Sequence, residues 1–215
     1  MGNNIEALLK PQSVVVVGAS AQAGKIGNVI LQQVVKGKFR VYAVNPKGGE
    51  ACGLPLYASL RDLPEVPDLA VIALPAVPTL GAARECVQMG VKAIVGIAGG
   101  FGETGEAGHA LEMRLAEILR GSQTRLLGPN TLGLLVTENG LDTNFLPSER
   151  MRRPDAGNIA ILSQSGSVAV GEMDSMALTG ISISAFVGFG NRLDINENEL
   201  MDYFDADPGT AVLAM

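Results

Sequence analysis

Ser13-Val14-Val15-Val16-Val17-Gly18-Ala19-Ser20-Ala21-Gln22-Ala23-Gly24-Lys25-Ile26-Gly27 is the stretch that decides the fold. Its unbroken β-branched run has no polar alternation, so it reads as a strand buried on both faces and ended by Gly18. Behind it, residues 27–36 carry apolar side chains at helical spacing (Val29, Ile30, Val34) and stop at Gly37. A buried strand, a glycine-rich turn and a helix together form the opening unit of a parallel α/β sheet.

The pattern continues outward. Strands are predicted over 40–44, 69–74, 93–97 and 125–127, with a short element over 57–60. Helices are predicted over 77–90 and 106–119. Pro78 suits a first helical turn and Gly90 a helix end. Crossover helices between strands imply a Rossmann-like, doubly wound parallel sheet occupying residues 1–130. Residues 131–157 lose the pattern. Pro147, Pro154 and the charged run Glu149-Arg150-Met151-Arg152-Arg153 read as a linker or surface loop. A second α/β unit then opens at 158, with strands over 158–162, 181–187 and from 211, and helices over 166–178 and 196–205. About three strands is short for a sheet, so this unit is expected to be incomplete within the sequence. An open sheet edge of that kind invites self-association into a homo-oligomer.

Composition narrows the function classes. The 215 residues are 47% hydrophobic and 18% charged, with 27 glycines, no Trp and a formal charge of −6. That is rich enough for a buried core, and the acidic balance argues against nucleic acid or an anionic membrane as partner. There is no signal-like N-terminus and no apolar run long enough to span a bilayer, so a soluble cytoplasmic protein is expected. Cys52 and Cys86 lack metal-type spacing and read as small half-buried or buried thiols. His109, the single histidine, reads as a surface residue with no metal-ligand neighbours. No metal site is expected.

Two turns have the chemistry of anion sites. In the first, Gly18, Ala19, Ser20, Lys25 and Gly27 put backbone N–H groups and a lysine at the start of a helix, where the dipole favours negative charge. The spacing is neither a P-loop nor G-x-G-x-x-G. After the second strand comes Asn45-Pro46-Lys47, where a dinucleotide dehydrogenase usually carries Asp or Glu. A lysine there fits a phosphorylated ribose, either the 3′-phosphate of coenzyme A or the 2′-phosphate of NADP. Leu74-Pro75-Ala76 and Ala98-Gly99-Gly100-Phe101-Gly102 follow later strands and should wall the same crevice. Phe101 reads equally as a groove lining or as core. The second anion candidate is Ser163-Gln164-Ser165-Gly166, between a strand and a helix. Its serine also suits an N-cap that needs no ligand.

In this order and spacing the motifs resemble the NDP-forming acyl-CoA synthetases. The resemblance rests on Val17-Gly-Ala-Ser20, Val44-Asn-Pro-Lys47, Gly99-Gly-Phe-Gly-Glu-Thr-Gly105, Leu127-Gly-Pro-Asn130, Ser163-Gln-Ser-Gly166 and Gly190-Asn191. It covers essentially the whole sequence. It implies a CoA-binding Rossmann-like domain followed by a flavodoxin-like ligase domain. It also implies an enzyme that interconverts acyl-CoA, ADP and phosphate with acid, CoA and ATP through acyl-phosphate and phosphohistidine intermediates. On this resemblance Gly18, Ser20, Lys25, Asn45, Lys47, residues 74–76 and 98–101, and Asn130 would contact coenzyme A. Ser163, Gln164, Ser165 and Gly166 would hold phosphate. The partners would be a small carboxylic acid and an ATP-grasp domain or β subunit that binds ATP or ADP with Mg.

His109 does not match the family's phosphohistidine, which is expected beyond Met215. No catalytic residue is therefore assigned within these residues, and the chain by itself is expected to bind CoA without turnover. A non-enzymatic CoA-binding regulatory module and an NAD(P)-dependent oxidoreductase domain are the other readings the residues leave open.

Overall fold

Every valine of the opening run is buried, and the reason is the sheet's two covered faces. In the computed structural model, which describes residues 5–215, β1 (Ser13–Val17) is buried at all five positions. Side chains alternate across a strand. Val14 and Val16 enter one core with Ile30, Leu31 and Val34 of α2 (Ile26–Val34). Val15 and Val17 enter another, with Leu80, Ala83 and Cys86 of α3 (Ala76–Met89) and Leu115 and Leu119 of α4 (Glu106–Leu119).

Around β1 the chain adds β2 (Arg40–Val44), β3 (Glu50–Ala51), β4 (Leu54–Tyr57), β5 (Leu69–Ile72), β6 (Ala93–Gly96) and β7 (Arg125–Leu127). The strand order is β3-β4-β2-β1-β5-β6-β7, parallel throughout except for the β3–β4 hairpin. The chain leaves β1 for β2 on one side and later returns to place β5 on the other. This reversal beside β1 leaves a crevice at the carboxyl ends of the strands. Sequence periodicity did not reveal α1 (Ile5–Leu9), whose Ile5, Leu8 and Leu9 are wholly buried against the β1–β2 core, because five residues are too few to display a helical period.

The interval read as a linker is corrected by the structure. It contributes β8 (Leu134–Val136) and β9 (Leu141–Asp142), an antiparallel hairpin turned at Asn139-Gly140 with Gly140 at φ 72°. The second sheet has the order β12-β10-β11-β8-β9, with β10 (Ala156–Ser163), β11 (Ile183–Gly188) and β12 (Val212–Ala214) parallel, β8 antiparallel to β11, and β9 antiparallel to β8. The expected count of about three strands is thus too low. α5 (Gly166–Thr179) packs Ala169 and Met173 on one face of this sheet. On the other face, Leu200 and Phe204 of α6 (Glu197–Ala206) join the same continuous core as β1 and α2.

The thiols give a direct check on this packing. Cys86 is buried, and burial, with Glu85 adding to it, pushes its thiol up to about 12. Cys52 is exposed in the β3–β4 turn. Only thiolates attack disulfide reagents. One thiol per chain should therefore react with Ellman's reagent at pH 8 in native buffer, and the second only in denaturant. Two fast-reacting thiols in the native state would contradict the α3 packing.

Candidate functional site

The turn after β1 is shaped for close backbone approach. Gly18 sits at φ +88°, and a Cβ there would lie 2.7 Å from the Ala73 carbonyl oxygen and from Leu74 Cδ2. A Cβ on Gly27 would lie 2.0 Å from the Gly18 carbonyl oxygen, so only glycine lets the first turn of α2 rest on the strand end. The N–H groups of Gly18 and Ala19 donate to the Val44 carbonyl at 3.0 and 3.2 Å. Asn45 stitches the neighbouring turns. Its Nδ2 donates to the Ala19 carbonyl at 2.7 Å, and its Oδ1 accepts from the Lys47 amide at 2.9 Å. Ser20 is held in the same manner: its Oγ accepts from the Gln22 amide and its carbonyl from Asn28 Nδ2. α2 opens at Lys25 with no side-chain cap and no acid in its first turn, so no carboxylate of that turn offsets its positive end. Lys25 and Lys47 are both exposed beside these turns.

Beyond them, a cleft of about 600 Å³ opens between the ends of β6 and β7 and the start of α5. It brings together Ala98, Gly99 and Asn130 from the expected cofactor set with Gln164, Ser165 and Gly166 from the expected phosphate set. Gly18, Ser20, Asn45, Lys47, Leu74, Pro75 and Ala76 do not line it; they cluster instead at the ends of β1, β2 and β5. Ser165 caps α5, its Oγ accepting from the Val168 amide at 3.4 Å, as the N-cap alternative anticipated. The sequence reading missed the apolar wall made by Leu132, Phe145, Leu146 and Val170. The Asn139-Gly140 hairpin signal pointed to it, because that turn folds residues 131–146 back against the site. Another cavity, of about 330 Å³, lies beside Lys10 and Tyr203 and contains none of the expected site residues.

For the loop after β6 the groove-lining reading of Phe101 is corrected and the core alternative holds. Phe101 is wholly buried among Leu115, Leu119 and Leu126, so its ring lines no groove. The Gly100 and Phe101 amides are also already engaged: both donate to Glu103 Oε1. Partial burial works to raise the Glu103 pKa, but hydrogen bonds from Asn191 and these amides outweigh it and hold the carboxyl below the usual range. Asn191 also bonds Glu112 Oε2 at 2.7 Å and accepts from Asn130 Nδ2 at 3.2 Å.

The second unit is fixed to the first along this edge. Asn191, Leu193 and Ile195 donate their amides to the carbonyls of Pro129, Gly128 and Leu126 at 2.9 to 3.1 Å. They cover β7 much as a further strand would. Arg125 closes the contact with both oxygens of Asp194 and of Glu199, at 2.9 to 3.1 Å. The cleft therefore lies between rigidly joined units.

Comparison with known proteins agrees with this arrangement. Residues 12–137 match the CoA binding domain, and residues 156–215 match the succinyl-CoA ligase like flavodoxin domain. The α subunit of acetate–CoA ligase [ADP-forming] I of Pyrococcus furiosus is 37% identical over 98% of this chain and 46% of its own length. Trans-feruloyl-CoA synthase FCS1, from an unknown prokaryotic organism, is 33% identical over 98% of this chain and 30% of its own length. The dinucleotide-forming acetyl-coenzyme A synthetase 1 of Ca. Korarchaeum cryptofilum, solved in complex with phosphate and ADP, superposes with a TM-score of 0.90. It is 36% identical over 98% of this chain and 45% of that one. The chain spans less than half the length of each of these relatives. With both domain types matched in order, the chain belongs to the CoA binding domain family, its CoA binding domain followed by a succinyl-CoA ligase like flavodoxin domain.

Proposed function

We propose that this chain is the coenzyme A-binding part of an ADP-forming acid–CoA ligase. The observation that carries the reading is the single cleft on which Ala98, Gly99 and Asn130 of one unit meet Gln164, Ser165 and Gly166 of the other. The uncapped start of α2, with Lys25, takes the cofactor's phosphates, and Lys47 takes the ribose 3′-phosphate. The glycines at 18 and 27 fit this use, since they let the end of β1 and the first turn of α2 pack closely and so set where that helix start lies. Bound coenzyme A supplies the thiol nucleophile of the reaction. The start of α5 holds the phosphate or carboxylate anion, with N–H groups that the Ser165 cap does not use.

His109 is exposed on α4 and does not line the cleft, so we assign the phosphohistidine, the ATP-grasp domain and the site for ATP or ADP with Mg to parts of the complete enzyme outside this sequence. Among the described residues no helix is long and apolar enough to cross a membrane, and we place the enzyme in the cytoplasm. Neither an oxidoreductase nor a purely regulatory module is favoured by the two matched domain types.

Calorimetric titration tests the reading. The chain should bind CoA. Lys47→Ala should weaken binding about tenfold or more, the loss of a charge-assisted contact of roughly 1.5 kcal/mol. Dephospho-CoA, which lacks the 3′-phosphate, should bind both proteins equally. Absence of CoA binding, or NADP binding tighter than CoA, would overturn the assignment.

A further inference from the structure

The apolar wall of the cleft is held by a buried network centred on Arg153, a residue that does not line the cleft. Its side chain is 15% exposed, and it pairs with Asp142, itself 12% exposed, through Nε to Oδ2 at 2.7 Å. Nη2 donates to the Leu146 carbonyl at 2.8 Å and to Gln33 Oε1, and Nη1 donates to the Met151 carbonyl. Gln33 lies on α2, two turns beyond Lys25, and its Nε2 donates to the Asn144 carbonyl. Asn144 is wholly buried and bonds Asp142 Oδ1 through both its amide and its Nδ2. The carbonyls on either side of Phe145, those of Asn144 and Leu146, are thus both pinned, one by Gln33 and one by Arg153. A dipeptide held at both ends presents its side chains in one arrangement. Here that arrangement puts Phe145 and Leu146 into the cleft, facing Leu132 and Val170.

The chemistry of the lining points to what meets this wall. Among the described residues no Asp, Glu, Lys, Arg or His lines the cleft; its polar groups are Asn, Gln, Ser, Thr and backbone. At its lip, beside Gly99, stands a carboxylate: Glu103 Oε1 lies 3.0 Å from where a Cβ on Gly99 would be. A second carboxylate on the substrate would enter without a counter-ion and facing a like charge, which is costly away from water.

Building on the proposed function, we infer that Phe145 and Leu146 are the specificity-determining wall for the acyl substituent, that this substituent is uncharged and apolar, and that Arg153 is the positioning residue that holds the wall. Binding of acyl-CoA by the chain tests each part. Butyryl-CoA should bind about tenfold tighter than CoA, as expected for methylenes entering an apolar pocket. Succinyl-CoA should bind no tighter than CoA. Arg153→Met should bring the butyryl-CoA to CoA affinity ratio close to one while CoA affinity stays within about twofold, and Arg153→Lys should restore part of the ratio. A role in folding alone would shift the melting temperature and leave the ratio unchanged.

If Arg153→Met does not fold, Leu146→Ala carries the same test, because it shortens the wall directly. A butyryl preference that persists in Arg153→Met, or in Leu146→Ala, overturns the assignment of the wall. So does succinyl-CoA binding as tightly as butyryl-CoA. CoA bound with a flat ratio in the unmodified chain removes this inference alone; absence of CoA binding removes the proposed function with it.

Discussion

Gly27→Ala should cost the protein about 3 kcal/mol of stability and most of its affinity for CoA. The added Cβ would lie 2.0 Å from the Gly18 carbonyl oxygen and 2.9 Å from its carbonyl carbon. Both are backbone atoms of the turn between β1 and α2, so no rotamer change relieves the clash, and α2 must move off the strand end. Alanine improves the intrinsic helix propensity by roughly 1 kcal/mol, and this gain is far too small to offset a backbone collision. The movement also displaces the first-turn amides of α2 and Lys25, the groups assigned to the cofactor's phosphates. A drop in melting temperature of about 10 °C is expected by calorimetry, together with loss of CoA heat in titration. Gly171→Ala on α5 is the matched control, since an added Cβ there meets nothing within 4 Å; with the propensity gain unopposed it should raise melting by about 2–4 °C. If Gly27→Ala melts with that control, the close approach that shapes the site is wrong.

Arg125→Met should separate the two units energetically. Arg125 sits at the edge strand β7, with its guanidinium between Asp194 and Glu199. Burial works to lower the pKa of the arginine, but the hydrogen bonds it donates to the two carboxylates outweigh it and the net shift is upward. Removing it leaves two carboxylates side by side with no counter-ion, while Asp194 Oδ2 still accepts from the Leu126 amide at 2.8 Å. Breaking a buried pair costs about 3–5 kcal/mol. These side chains are 24 to 33% exposed, so screening by water reduces the expected loss to roughly 2 kcal/mol. Melting should fall by about 4–8 °C, and adding Asp194→Asn should recover part of that. Hydrogen exchange should quicken in 191–195, whose amides ladder onto Leu126, Gly128 and Pro129, before it quickens in β1. An unchanged melting temperature would mean that the ladder and the shared core alone join the units.

The sequence determined a great deal by itself. The opening valine run, the glycines at 18, 27 and 90, and the strand–helix alternation gave the doubly wound sheet, because burial on both faces leaves a composition signature that needs no tertiary information. The 14-residue helix Glu106–Leu119 was legible to its ends. Asn45-Pro46-Lys47 and Ser163-Gln164-Ser165-Gly166 were legible as turns at strand ends, since turn chemistry is local. Short elements such as α1, β3, β8 and β9 were not, as two to five residues are too few to show a period.

Only the tertiary structure decided which of these turns share a cleft and which amides in them are free. The Phe101 ring and the Gly100 and Phe101 amides belong to a loop expected to wall the cofactor crevice, with Phe101 read equally as core. Phe101 went into the core, and the amides went to Glu103, a carboxylate steadied by Asn191 from 88 residues away. The Phe145–Leu146 wall depends in the same way on Gln33 and Arg153, which lie 120 residues apart in the chain. Strand and turn preferences are set by neighbours in sequence. The partners of a buried polar group, and hence the shape of the site, are set by whichever distant segment the packing brings within 3 Å.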